Sequence, residues 1–266
     1  MKLPSILFTL IIACFLFAGC NLLSKKTNEV WFYTYSEFGI LNDYIPKPNQ
    51  QLTDYNLNPS NFICLQIDGS YTMDFGHFEY GTWELDDTML VLKNIERKTM
   101  FMVVKPAGKE MLIKVPLVGG RSSIWHFEKS PVPLQEKADN PFSLNNNRWR
   151  LKARQKEDDE MIADRLRNHF SYWEKYFNWG LVAKMDYLDV RSLPGPLKIY
   201  GNGFVLLDYE KWPQDWSDLF YDSTDGHKAY DKLRYIFDHD HIAWAHTDNK
   251  YKMFISAFQQ LQQKIK

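Results

Sequence analysis

Hydrophobic and polar residues alternate in short runs between Asn61 and Lys129, and turn-forming Gly, Asp and Asn residues separate the runs. Seven such segments follow one another: FICLQI, SYTMDF, FEYGTWEL, TMLVLKN, TMFMVV, EMLIKV and SSIWHFE. No stretch long enough for a helix lies between them, so they predict an up-and-down antiparallel meander rather than parallel βαβ units. A meander of this length must curl to cover its edge strands, so we expect a small barrel or half-barrel.

The hydrophobic period becomes helical in the second half of the chain. Apolar residues recur three or four positions apart over residues 162–181, after four acidic residues at 157–160, and predict one long amphipathic helix. The other predicted elements are a strand over 148–154, a hairpin over 197–200 and 204–209, helices over 213–220, 224–237 and 251–265, and a strand over 241–246. The predicted fold class is α+β: an antiparallel β meander or small barrel, followed by an α+β domain that contains the long helix.

A segment rich in proline and asparagine divides these two regions. Residues 130–147 (SPVPLQEKADNPFSLNNN) contain three prolines and four asparagines, a composition typical of linkers. We therefore predict a β domain over residues 30–130, a linker over 131–147 and an α+β domain over 148–266. We also expect few contacts between the two domains.

The first twenty residues have the layout of a secretory signal. Lys2 supplies a short positive start, residues 3–17 form an uncharged apolar run, and the small residues Ala18 and Gly19 precede Cys20. The run is too short, and too close to a small-residue cleavage site, to predict a permanent membrane span. An ordinary signal peptide that happens to precede a cysteine is one interpretation of this layout.

Ala18-Gly19-Cys20 resembles the lipobox of bacterial lipoproteins, with Phe17 where leucine is more usual. The resemblance implies that residues 1–19 are removed and that the thiol of Cys20 is acylated with chains such as palmitate. Residues 20–29 would then be a tether between the membrane and the folded protein. Asn21 follows in place of the aspartate linked to inner-membrane retention in enterobacterial lipoproteins, which implies the outer membrane of a Gram-negative bacterium.

Amino-acid composition indicates a folded protein and limits the kinds of partner that it can bind. Hydrophobic residues at 45% and aromatic residues at 16% are ample for packed cores. Without residues 1–19, 31 basic residues stand against 33 acidic ones, a net charge of −2, so we expect no nucleic-acid partner. Cys14 leaves with the signal and Cys20 would carry lipid, so no intramolecular disulfide is expected and Cys64 is predicted to be a small buried hydrophobe.

Three pieces of the meander carry a family resemblance: Asp68-Gly69-Ser70-Tyr71, Gly81-Thr82-Trp83-Glu84-Leu85 and Leu90-Val91-Leu92. They resemble the lipocalin-like domains of Bacteroidota lipoproteins, in which a GxW strand is followed directly by an LxL strand. A small barrel of this kind holds either packed side chains or one small apolar ligand. Large side chains favour a mostly filled interior: Phe75, Phe78, Trp83, Met89 and Met102.

Common catalytic motifs are missing from the sequence, which has no GxxxxGKS/T, GxSxG, HExxH or CxxC and no GxGxxG after a strand. Trp212 and Trp216, in a segment that contains Pro213, are candidates for an exposed surface that stacks on a ligand, with core packing as the alternative. We predict no catalytic residue and no cofactor.

A histidine cluster is the one place where potential metal ligands concentrate. His239 and His241 would point the same way on an extended chain, but His246 would point to the opposite face. We therefore predict no metal site and regard these three histidines as weak candidates. Asp238 and Asp240 would cap backbone donors in a polar turn.

These observations favour a membrane-anchored, exported lipoprotein with a non-enzymatic binding or accessory role in the cell envelope. An envelope protein or a small apolar ligand would be its partner, and the anchor at Cys20 would hold it to the membrane. The alternative is an envelope hydrolase whose site lies in the C-terminal domain and uses scattered carboxylates or histidines.

Overall fold

A computed structural model of the protein describes residues 28–40, 61–74, 78–86, 89–94, 98–107, 109–116, 121–130, 134, 139–183, 195–200, 203–240, 242 and 249–266. The predicted signal peptide, Cys20 and most of the tether lie outside the described residues, as do His241 and His246. Among the described residues, no helix is both long and apolar enough to cross a lipid bilayer.

Eight antiparallel strands of the described chain form a closed barrel in sequence order. They are β1 (Glu29–Ile40), β2 (Phe62–Leu65), β3 (Ser70–Asp74), β4 (Phe78–Asp86), β5 (Met89–Lys93), β6 (Lys98–Ala107), β7 (Glu110–Pro116) and β8 (Arg121–Lys129). Each strand pairs with the next, and β1 also pairs with β8, with Trp31 opposite Lys129 and Ser36 opposite Trp125. The predicted antiparallel meander is confirmed, and its first and last strands close the ring.

The GxW segment of β4 brings two strands close together. A Cβ atom on Gly81 would lie 2.0 Å from the carbonyl oxygen of Lys93 on β5, so a side chain has no room there. Trp83, two residues later, is buried inside the barrel, and its Nε1 donates to the carbonyl oxygen of Gln66 at 2.9 Å. The glycine thus permits the close approach, and the tryptophan fills the interior as predicted.

Helices and a small hairpin make up the second half of the described chain. They are α1 (Leu144–Asn147), α2 (Asp159–Val182), β9 (Leu197–Tyr200), β10 (Gly203–Leu206), α3 (Gln214–Ser217), α4 (Ser223–His239) and α5 (Lys250–Lys264). The long helix α2 begins after Asp158, whose side chain accepts a hydrogen bond from the Met161 amide at 2.8 Å. Asp159 and Glu160 occupy its first turn, where the helix dipole favours negative charge. The predicted α+β class and long helix are confirmed.

The predicted strand over 148–154 is wrong. Arg148–Arg150 form a 3-10 turn, and the chain then runs irregularly to α2. Arg165 on α2 donates to the carbonyl oxygens of Trp149 and Leu151 at 2.7 and 2.9 Å. These long-range bonds satisfy backbone groups that a strand would have used, so they override the local alternation.

Adjacent residues of β1 and β2 enter two different hydrophobic clusters, because side chains alternate across a strand. Trp31 and Ile63 point into the barrel, whereas Phe32 and Phe62 pack outwards with the helices. We call the inner cluster the barrel interior; its buried members are Trp31, Ile63, Leu65, Tyr71, Met73, Trp83, Leu90, Leu92, Met111, Ile113 and Phe127. We call the outer cluster the shared core, because it joins Val30, Phe32, Phe62 and Cys64 of the barrel to buried residues of α2, α3, α4 and α5.

The predicted linker ends in a packed segment that joins the two halves. Phe142 is fully buried, and its ring centroid lies 5.4 Å from that of Phe32 and 4.9 Å from that of Phe62. The Thr72 hydroxyl on β3 donates to the carbonyl oxygen of Phe142. Residues 139–147 therefore pack against the barrel, and the halves share a core instead of making the few contacts that we expected.

A buried ion pair crosses the same junction. Arg150 pairs with Asp74 at the end of β3, and the two side chains are only 8% and 6% exposed. The Arg150 guanidinium also lies 4.9 Å from the ring centroids of Trp149 and Tyr172. The junction thus combines aromatic packing with a charge pair that is shielded from water.

Phe78 does not fill the barrel interior as predicted. It is partly buried and packs against the shared core on the outside of β4. Its position follows from strand alternation, because Trp83 lies an odd number of residues away and therefore takes the opposite face. Met89 is half-buried, and the side chains of Phe75 and Met102 lie outside the described residues.

Candidate functional site

A cleft of about 920 Å³ lies between the barrel and the helical half, where β4 faces the irregular chain before α2. Its described lining residues are Phe78, Glu79, Tyr80, Asn94, Arg148, Leu151, Lys152, Ala153, Arg154, Gln155, Glu157, Met161 and Arg165. We call it the basic cleft. Its volume falls within the roughly 300–1,000 Å³ of small-molecule sites.

Hydrogen bonds hold the floor of the basic cleft in place. Arg165 makes a two-pronged ion pair with Glu157, with Nη2 at 2.7 Å and Nε at 3.3 Å from Oε1. The Glu157 amide donates to Asp225 Oδ2 on α4 at 2.9 Å, and Lys228 Nζ donates to the Glu157 carbonyl oxygen at 3.3 Å. The irregular segment is thus fixed to both α2 and α4, and a cleft built this way needs little ordering when a ligand arrives.

Three cations at the cleft lack a charge partner among the described residues. The side chains of Arg148, Lys152 and Arg154 are exposed and make no hydrogen bond or ion pair with the described part of the chain. Lys152 also lines a neighbouring cavity of about 350 Å³, where the acidic residues Asp218 and Asp222 face it. Arg148 and Arg154 line the basic cleft and are not among the described residues that line the neighbouring cavity.

The two carboxylates that line the cleft are already engaged. Glu157 is paired with Arg165, and both side chains are less than a tenth exposed. Glu79 is buried and accepts a hydrogen bond from Asn94 Nδ2 at 3.2 Å. Four cationic side chains and two carboxylates line the cleft, so the formal charge of its described lining is positive.

The opposite wall is aromatic. Phe78 and Tyr80 project from the same face of β4, and their rings stack with centroids 6.5 Å apart at 27°. Both are half-buried, so each keeps ring surface open to the cleft. Leu151 and Met161 add apolar surface, and Met161 is 40% exposed. Positive and apolar surfaces thus meet in one concavity.

Trp212 and Trp216, the candidates for an exposed stacking surface, are instead packed in the core, which was the alternative. They are 6% and 2% exposed and belong to the shared core. Trp212 Nε1 donates to the carbonyl oxygen of Leu207 at 3.0 Å, and the Trp216 ring lies 4.5 Å from that of His169. Both are buried because α3, which begins after Pro213, turns this segment inwards.

Of the three histidine candidates, only His239 is among the described residues. His239 is the last residue of α4, not part of an extended chain, and its ring stacks on Tyr235 with centroids 4.5 Å apart. Its Nδ1 lies 3.1 Å from the Tyr235 carbonyl oxygen. Within the described residues, no group of three or more His, Cys, Asp or Glu could hold a metal ion. His241 and His246 lie outside those residues.

Two other reactive side chains are buried in the shared core. Burial raises the pKa of the Cys64 thiol to about 12, so the thiol stays protonated and is a poor nucleophile. Burial, with the nearby charge of Arg150, holds the pKa of His169 well below its usual value, so its imidazole is neutral. Neither side chain lines the basic cleft.

Sequence reasoning missed the basic cleft, although one signal for it was present. Cationic residues occupy every second position of RWRLKAR: Arg148, Arg150, Lys152 and Arg154. Strand alternation alone would place all four on one face. In the fold Arg150 turns into the junction with the barrel, while the other three line the cleft.

Comparisons of the chain with protein-family models, with curated proteins and with solved structures find no match. The chemistry of the basic cleft is therefore inferred from its own side chains.

Proposed function

We propose that this protein is an exported lipoprotein, anchored to the cell envelope through Cys20, that binds a small ligand in the basic cleft and catalyses no reaction. The observation that carries the proposal is the cleft itself, which is large enough for a small molecule and is held by ion pairs on its floor. Ligand sites commonly lie at the junction of two structural units, as this one does.

The lining chemistry favours binding over catalysis. The described lining residues include no serine, cysteine or histidine, which are the usual nucleophiles and bases of hydrolases. The carboxylates of Glu79 and Glu157 are hydrogen-bonded to neighbours. Cations, an amide and aromatic faces remain, and these groups recognise ligands without reacting with them.

The barrel would serve as a lipocalin-like scaffold rather than as the ligand site. Its strand order and its GxW segment support that resemblance, but its interior contains packed side chains such as Trp83 and Phe127. The ligand would therefore bind outside the barrel, against β4. The anchor follows from the lipobox-like Ala18-Gly19-Cys20, and Asn21 favours the outer membrane.

Ligand-observed NMR with a small-molecule library tests the binding role. We expect hits that bind the wild-type protein but not Ala153→Trp or Met161→Trp, which place an indole in the cleft. Val205→Trp, at an exposed site in the hairpin, is the matched control. Equal binding by the cleft variants would overturn the location, and chemical conversion of a hit would overturn the non-enzymatic role.

Substitution of Cys20→Ser tests the anchor. Each buried methylene of an acyl chain adds about 0.8 kcal/mol to membrane retention, so its loss should release soluble or unprocessed protein. Fractionation and intact mass measure the result. An unchanged mass and unchanged membrane fraction would contradict lipidation at Cys20.

A further inference from the structure

We infer that the basic cleft selects small anions that carry a planar or apolar body. This inference rests on the proposed binding function and specifies the class of ligand. It combines two observations at one site, the unpaired cations on one wall and the stacked rings on the other.

The preference for an anionic ligand follows from arginines that make no ion pair with the described residues. Arg148 and Arg154 line the cleft without a partner among the described residues, and the nearby Glu157 is neutralised by Arg165. A guanidinium presents a planar fork of donors that matches carboxylate, phosphate or sulfonate oxygens. An anionic group close to these side chains would gain electrostatic attraction.

The planar requirement follows from the facing wall. The Phe78 and Tyr80 rings are nearly parallel and half-buried, and Met161 continues the apolar surface. Aromatic faces prefer offset contact with another flat ring, and buried apolar area adds affinity that is insensitive to salt. A ligand with charge alone would leave this wall in water.

The shape favours a small molecule over a membrane surface. The cations line a concavity of about 920 Å³ instead of a convex or flat face. A bilayer surface cannot follow such a concavity, whereas a small molecule can contact both walls at once.

Two dyes with the same aromatic framework separate the two requirements. The probes are 1-anilinonaphthalene-8-sulfonate, which is anionic, and N-phenyl-1-naphthylamine, which lacks the sulfonate. Fluorescence titration would use the full mature chain with Cys20→Ser, so that detergent is not needed. We expect the anionic dye to bind more tightly at low ionic strength and to lose that advantage as salt rises, because salt screens exposed charges.

Cleft variants locate the effect. Arg148→Gln combined with Arg154→Gln should weaken the anionic dye by about 3- to 30-fold and leave the neutral dye unchanged. Lys156→Gln is the matched control, because Lys156 is exposed in the same segment but does not line the cleft. Tyr80→Leu should weaken both dyes, since it removes a ring from the wall. Far-UV circular dichroism would check that each variant folds.

Each outcome has one meaning. Equal affinity for both dyes, with loss in Tyr80→Leu, would overturn the anion preference and leave the ligand cleft standing. Failure of both dyes to bind would overturn the ligand cleft as well. An anionic preference that survives the arginine substitutions would place the effect elsewhere and overturn this inference. The last outcome is that the wild-type protein sediments with vesicles of phosphatidylglycerol but not of phosphatidylcholine, and that the double arginine variant does not sediment. That result would assign the cleft to lipid headgroups and overturn a soluble ligand.

Discussion

The barrel interior and the shared core bury opposite faces of β1 and β2, yet they are built from different side chains. Aliphatic residues and methionines supply much of the interior, including Leu90, Leu92 and Met111. Aromatic rings dominate the shared core, in which Trp173 and Phe177 pack among other rings. The difference teaches that alternation builds the interior, whereas the shared core depends on segments that meet only in three dimensions.

Polar atoms are treated differently in the two regions. In the barrel interior, the Nε1 atoms of Trp31 and Trp83 donate to Glu29 Oε2 and to the Gln66 carbonyl oxygen. In the shared core, the Nε1 atoms of Trp173 and Trp179 are buried without a hydrogen-bond partner among the described residues. The shared core therefore depends more on ring packing and burial than on directed hydrogen bonds.

The largest expected effect comes from removing Phe142, which connects the two halves. Phe142→Ala should destabilise the protein by about 4 kcal/mol, because it leaves a cavity between barrel and helices. Phe127→Ala is the matched change in the barrel interior, since both rings are fully buried. We expect both variants to lower one common unfolding transition, followed by circular dichroism and by tryptophan fluorescence. Unchanged hydrogen-exchange protection of the barrel in Phe142→Ala would show that the halves are independent.

Loss of the buried ion pair should rank next. Arg150→Ala leaves Asp74 buried without its cation, and we expect a loss of about 3 kcal/mol in denaturant unfolding. Combining Arg150→Met with Asp74→Asn should recover much of that loss, since no charge then stays buried. Lys93→Ala, which removes an exposed pair with Glu84, is the control and should cost less than about 1 kcal/mol. Equal losses for the two single variants would mean that burial of the pair is unimportant.

A glycine beside His169 offers a smaller test of packing in the shared core. Gly195 has φ of 123°, and a Cβ atom there would lie 2.9 Å from His169 Cε1. Gly195→Ala should cost about 2 kcal/mol through backbone strain and steric overlap. Thermal unfolding of the double variant Gly195→Ala/His169→Ala, compared with both single variants, separates the two effects. The double variant removes the steric overlap with the imidazole but keeps the backbone strain. A neutral Gly195→Ala would be incompatible with the tight contact.

The smallest expected effect is a pH dependence of stability that we assign to His169 in the shared core. Because the pKa of His169 is lowered in the folded protein, the unfolded chain binds the proton first as pH falls. Stability present above the unfolded-state pKa of about 6.5 should therefore fall by up to about 1.4 kcal/mol per pH unit below it. His169→Leu should flatten this dependence between about pH 7 and pH 5.5. A pH profile unchanged by His169→Leu would assign the effect to other groups.

Much of the fold could be predicted from local pattern. The alternating segments became strands of the barrel, and the helical period over residues 162–181 became α2. Junction contacts could not be predicted in that way, because Phe142, Arg150 and their partners are far apart in sequence. One sign of the junction was nevertheless present. Strand β2 (Phe62–Leu65) is apolar at every position and is buried on both faces. In a strand with one face in water, apolar and polar residues alternate.

The candidate site was harder to predict than the fold. Its walls come from β4 and from the chain before α2, and neither contains a recognisable motif. Trp212 and Trp216 were candidates for exposure because their segment contains a proline, yet with Phe220 they recur four residues apart and are buried together. Spacing was the better guide there than composition.

The closure of β1 onto β8 sets an order of events during folding. Trp31 pairs with Lys129, and the Phe32 ring lies 5.2 Å from that of Trp179. The first strand therefore needs partners that the ribosome synthesises about 100 to 150 residues later. Contacts between residues so distant along the chain slow folding and prolong the exposure of hydrophobic surface. A nascent chain that ends after β8 can close its ring but still displays Val30, Phe32, Phe62 and Cys64 to the solvent. Residues 139–147 and α2 thus act as a built-in cover, and we expect the barrel to be more prone to aggregation until they are in place.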